Sequence, residues 1–190
     1  MTKRVNIYLP NINSLKPQIK VFGEWKRAEE VIDDLPNILQ DSYEIAAAKF
    51  SKDLLNIVRK SIKTGNPPGG LVHWPPLSYD YSMKKGHDRP YIFSGYYSRS
   101  VGIFKRGKKV FIGLPPGVRY PNRGKRAGLT LNQVAKILEF GSNKVGIPAR
   151  PIWGPALITA GGVKQIRKEI LTNIRRGLSK YGIRPNQVKW

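Results

Sequence analysis

The chain contains no cysteine. That one absence removes disulfides, thiol nucleophiles and thiolate metal sites together. Histidine is nearly as scarce, with only His73 and His87, so a zinc site has too few ligands to draw on. Acids are few: 12 Asp and Glu stand against 34 Lys and Arg, for a net charge of +22. Beyond residue 60 the only carboxylates are Asp80, Asp88, Glu139 and Glu169. A magnesium-dependent nuclease needs clustered carboxylates, and Asp80 and Asp88 flank an MKKG turn that nothing forces closed. No run reaches the roughly 18 apolar residues of a membrane span. The opening MTKRVNIYLP lacks the apolar core of a secretory signal, so a soluble chain made in a cytoplasm is expected.

What is present is a chain of 190 residues, 40% hydrophobic, with 19 Gly and 15 Pro. That is enough for one domain with a core, many turns and added extensions. The positive charge is uneven. Residues 1–60 carry ten basic and eight acidic side chains, whereas residues 61–190 carry 24 and four. A free surface of that balance repels itself, which points to an anionic partner, either nucleic acid or an acidic protein face.

Two short β-rich runs, VNIYL and QIKVFG, open the chain. EWKRAEEVIDDL reads as a short helix, and Pro36 as the start of a longer one. From there Leu39, Tyr43, Ala46, Ala47, Phe50, Leu54, Ile57, Val58 and Ile62 recur at three and four, up to a stop at Gly65 and Pro67. Residues 65–100 have no lasting period, but their aromatics predict docking rather than free loops. His73 there is expected beside Trp74, and His87 on a turn. Residues 100–115 read as a β-hairpin turning at Gly107. Thr130 is placed to cap LNQVAKILEF. Val163, Ile166, Ile170, Ile174 and Leu178 mark one face of a last helix, ending at Gly182, and residues 182–190 form a basic tail. The expected fold is α+β: long helices on a small, mostly antiparallel sheet, with extended Pro/Gly-rich and basic loops, all one domain over residues 1–190.

Phosphate-loop patterns are missing, because GLPPG and PPGG hold proline where amides should face phosphate. Plain cations are plentiful. Arg106, Lys108, Lys109, Arg119, Arg123, Lys125 and Arg126 lie in a stretch without one acid. They could hold a nucleic-acid backbone without reading sequence, or meet an acidic protein face. No zinc-finger, ribonucleoprotein or basic-zipper pattern accompanies them.

The stretch GSNKVGIPARPIW, residues 141–153, joins two helical runs. Gly146 sets a turn, Pro148 and Pro151 hold Ala149 and Arg150 extended, and Trp153 can fill a pocket. The fork of Arg150 suits a carboxylate, either Glu139 or one on a neighbour. Nothing in the stretch can act as nucleophile or base, so it reads as a fixed docking joint.

VAKILEFGSNKVGIPARPIWGPAL resembles the C-terminal signature of the bacteriophage virion-morphogenesis, or tail-completion, family, the group of the phage Mu late tail protein G. An upstream block is also similar, through Trp74, Pro76, Leu77, Ser78, Lys84, Ser94, Gly95 and Ser100. The likeness spans roughly residues 18–180. The family usually has Phe where Ile152 stands, with the aromatic moved here to Trp153. The resemblance implies a structural virion protein rather than an enzyme, with no cofactor. It implies a ring of six or twelve copies in the neck or at the tail top, placed between the head connector or adaptor and the tail terminator or tail tube. Packaged DNA would pass through its lumen. Contact surfaces would then include Trp74, Pro76, Tyr79, Ile147, Pro148, Arg150, Pro151 and Trp153. The other reading of the same charge is a sequence-nonspecific DNA-binding protein.

Overall fold

The computed structural model describes residues 25–91, 95–107, 109–119 and 128–183. Both early β-rich runs and most of the basic tail lie outside them. Within them the fold is α+β: six α-helices with a two-stranded antiparallel sheet. No helix of the described residues is long and apolar enough to cross a membrane. The chain divides into two compact units, one of Met1–Ala46 with Val163–Trp190 and one of Ala47–Gly162.

Helix α1 spans Trp25–Thr64, 40 residues and about 60 Å. It merges the two helices read from the sequence and carries Pro36 inside rather than at its start. A proline there cannot donate to the carbonyl of Ile32. Ile32 is 62% exposed, so that carbonyl sits on a wet face where water can take the missing bond.

In the first unit, α1 meets α6 (Gly162–Ser179) through Val31, Ile38, Ile174 and Leu178, with Leu35, Leu39 and Ile170 around them. The expected face of α6 is therefore its buried one, except that Val163 lies exposed. Gly177 permits the approach, because a Cβ there would lie 2.6 Å from Cγ2 of Ile38. The Tyr181 hydroxyl donates to Asp34 at 2.7 Å, and Asn37 donates to the same carboxylate at 3.0 Å. Together they hold the Asp34 carboxyl below its ordinary range.

In the second unit, Phe50, Leu54, Val58 and Ile62 turn the rest of α1 into a core face. A 3-10 turn at Pro68–Gly70 and short helices α2 (Tyr79–Lys85) and α3 (Tyr96–Ser100) follow. Strands β1 (Gly102–Arg106) and β2 (Lys109–Gly113) pair in the register Ile103 to Ile112, with Gly107 at the turn as expected. Helix α4 (Leu131–Phe140) opens on a full capping box: Thr130 accepts from the Gln133 amide, and the Gln133 side chain accepts from Thr130 N–H. Helix α5 (Trp153–Thr159) completes the unit.

Candidate functional site

The joint at residues 141–153 is built from backbone geometry first. Helix α4 ends at Gly141, whose φ is 74°. Ser142 and Ile147 then exchange backbone hydrogen bonds of 2.7 and 3.0 Å around a 3-10 turn closed by Gly146 in the left-handed conformation. This folds the chain back so that Arg150 N–H donates to the Leu138 carbonyl at 2.7 Å. The return passes so close to Gly141 that a Cβ there would lie 2.8 Å from both Ala149 N and Ile147 O. Gly141→Ala would meet backbone on one side and a positive φ on the other. We expect it to lower stability by about 1–3 kcal/mol, read from urea denaturation. An unchanged midpoint would show that the return can shift aside.

Onto this return the Pro-rich segment is fastened by side chains. Arg150, only 4% exposed, sends Nε to the Pro75 carbonyl and Nη2 to the Pro76 carbonyl, both at 2.9 Å. The Trp74 indole N–H donates to the Pro151 carbonyl at 2.9 Å. The buried Tyr91 hydroxyl donates to the Arg150 carbonyl. Trp74 packs on Tyr91 at 5.1 Å between ring centres, and Tyr91 on Tyr97 at 5.4 Å. Burial pushes the Tyr91 phenol far up, so the group stays a hydroxyl donor. Burial also lowers Arg150 from its ordinary value, and the carbonyl dipoles of two prolines face its charge.

Glu139 has a different role from the one its charge suggests. It does not pair with Arg150. Its carboxylate accepts from Ile152 N at 2.8 Å and Trp153 N at 3.2 Å, closing the N-terminus of α5. The four leading amides of a helix lack internal partners, and a carboxylate there meets both the amides and the helix dipole. Ile152, at the position where the resembled family carries Phe, is fully buried, while Trp153 is half-buried.

The eight contact residues named from the sequence therefore divide. Trp74, Arg150 and Pro151 join the internal clasp, Ile147 closes the small return, and Trp153 lies under the Glu139 cap. Pro76 lends its carbonyl to the clasp while staying exposed, and Pro148 and Tyr79 are exposed as well, Tyr79 at 76%. Tyr91 was missed as a clasp residue; its place among several aromatics in one aperiodic run was the only signal. Of the seven cations, Arg106, Lys109 and Arg119 are exposed, while Lys108, Arg123, Lys125 and Arg126 lie outside the described residues. His73 is exposed, and His87 sits on the turn after α2, its Nδ1 accepting from Arg89 N at 3.3 Å. Among the described residues no group of three or more His, Asp or Glu could hold a metal ion.

No family model, curated protein or solved structure matches the chain.

Proposed function

We propose that the protein is a structural virion subunit of a bacteriophage, a ring-forming neck or tail-completion protein that joins head connector to tail. One observation carries the reading. The two blocks of residues that resemble the tail-completion family are far apart in sequence, yet they meet in one clasp: Trp74 on Pro151, and Arg150 on Pro75 and Pro76. A pair of motifs that hold each other supports a shared structural purpose for both. The clasp leaves the exposed side of the Pro-rich segment, with Tyr79 and Met83 one turn apart on α2, as a firm apolar face for a neighbouring copy. Exposed Arg106, Lys109 and Arg119 are available to DNA in a lumen or to acidic faces of connector and tail proteins.

The deciding experiment is light scattering at low and high salt. A chain of 21.4 kDa is expected to give a discrete species of about 130 or 260 kDa, six or twelve copies, that survives salt. Tyr79→Ala should shift that species toward monomer without lowering the melting temperature. A monomer at every salt concentration, unchanged by head-connector or tail-tube protein, would overturn the assignment.

A further inference from the structure

The β1–β2 hairpin carries a face that is both apolar and basic. In its register Phe104 pairs with Phe111 and Arg106 with Lys109, so these four side chains share one side of the sheet. Phe111 is 43% exposed, and Arg106 and Lys109 are exposed with it. At the far end of the same side stand Gly102 and Gly113. The Phe104 ring lies against Gly102, where a Cβ would come within 3.3 Å of it, but a Cβ at Gly113 would meet nothing within 4 Å. A shallow notch is left over Gly113, with Phe111 beside it and two cations further along. A two-stranded sheet is marginal in water and gains from apolar cover.

The first half of α1 offers the complement. Glu29, Ile32, Asp33 and Pro36 fall at the i, i+3, i+4 and i+7 spacing of one helical face, and all are exposed, Ile32 at 62%. Val31 and Ile38, on another face, take the contact with α6. Pro36 leaves the Ile32 carbonyl without its helical donor. This outer face therefore presents an apolar side chain, two carboxylates and a carbonyl short of a partner. The hairpin presents the reverse set, a notch beside Phe111 and the donors of Arg106 and Lys109. Charge is sorted along the chain in the same way. Glu29, Glu30, Asp33, Asp34, Asp41 and Glu44 stand against Lys26 and Arg27 on the first half of α1, whereas residues 89–138 contain no acid.

We propose that the hairpin face of one copy docks on the outer face of the first half of α1 in a second copy. Ile32 sits in the notch over Gly113 against Phe111, and Arg106 and Lys109 meet Glu29, Asp33 and the Ile32 carbonyl. This contact rests on the ring-forming assignment and supplies its geometry. The two patches differ, so the contact is head-to-tail and repeats from copy to copy, as a ring requires. Opposite charges steer the patches together. The Ile32–Phe111 pair, unlike the charges, is not screened by salt. Arg106 and Lys109, otherwise open to DNA or to connector and tail proteins, are then taken up by the neighbour.

The test uses full-length chains with the charge reversed at either patch: Arg106→Glu/Lys109→Glu, and Glu29→Lys/Asp33→Lys. Each variant alone sets like charges face to face and should associate about tenfold more weakly than wild type, read from mass against concentration by light scattering. An equimolar mixture restores opposite charges at every contact and should recover the wild-type species, with the two variants alternating around it. A misfolded variant could not be rescued in this way, and thermal melting checks each one separately. Ile32→Ala should weaken association without lowering the melting temperature. Unchanged mass in both charge variants would overturn this contact and leave the ring standing. A wild-type chain that stays monomeric, with or without connector or tail-tube protein, would overturn ring and contact together. Loss of duplex-DNA binding by Arg106→Glu/Lys109→Glu, with self-association intact, would overturn the contact as well and assign the hairpin face to nucleic acid.

Discussion

Replacing Arg150 with alanine is expected to destabilise the protein by about 2–4 kcal/mol, the largest effect of any single change in the joint. The side chain is buried and makes two hydrogen bonds from a charged donor, each stronger than a neutral pair. Its loss leaves a cavity at a buried position and frees the Pro75–Pro76 segment from the return. Arg150→Lys separates charge from geometry: an ammonium can reach one proline carbonyl but cannot span both as a fork. It should recover less than half of the loss. Tyr91→Phe removes the bond to the Arg150 carbonyl, and combined with Arg150→Ala it should show coupling of about 0.5–3 kcal/mol. Urea denaturation measures all three. The sequence offers Arg150 as an assembly contact, and the two roles are separable: an internal brace lowers the melting temperature of the subunit itself, while a contact residue changes only its mass in solution. Full stability in Arg150→Ala, with loss of the oligomer, would return the residue to the subunit interface.

What was legible in the sequence were features carried by neighbours. Thr130 with Gln133 three residues on marks a helix start, and the structure has the complete capping box. Gly107 between alternating runs marks a hairpin, and Gly146 a turn. The spacing of Ile166, Ile174 and Leu178, with Ile170 half-buried beside them, marks the inward face of α6. Two local rules misled. Pro36 resembles a helix start because proline suits that position, yet a helix can cross a proline where the orphaned carbonyl meets water, as at Ile32. Arg150 and Glu139 resemble an ion pair because charge is the only complementarity a sequence displays. Their true partners are main-chain groups, carbonyls of Pro75 and Pro76 for one and amides of Ile152 and Trp153 for the other. Every residue has such groups, so no residue type announces them. The clasp joins positions more than 50 apart, and no periodicity spans that distance.

Glu139→Ala is expected to cost about 1–3 kcal/mol, because it strips the acceptor from the leading amides of α5 where Ile152 is fully buried. The more discriminating result concerns pH. Burial raises the Glu139 carboxyl above its ordinary value, and the amides of Ile152, Trp153 and Gly154 pull it back only in part. The folded protein therefore holds this proton at pH values where the unfolded chain has released it. The contribution to stability is full below the ordinary carboxylate range and declines as pH rises through the raised value. Asp34 acts with the opposite sign. The hydrogen bonds from Tyr181 and Asn37 depress it, so its contribution is present above the ordinary value and is lost as pH falls through the depressed one. The two carboxylates therefore oppose each other: the Asp34 contribution grows as pH rises toward the ordinary carboxylate range, and the Glu139 contribution declines as pH rises beyond it. Glu139→Gln keeps an acceptor oxygen for the amides but cannot titrate. Its urea midpoints, followed between about pH 3 and 7, should lose the upper decline and keep the lower rise, while Asp34→Asn should do the reverse. A Glu139→Gln profile that stays parallel to wild type above the ordinary carboxylate range would mean the amides, not burial, dominate the carboxylate, and that α5 is held by a stronger charge–dipole contact than its burial implies.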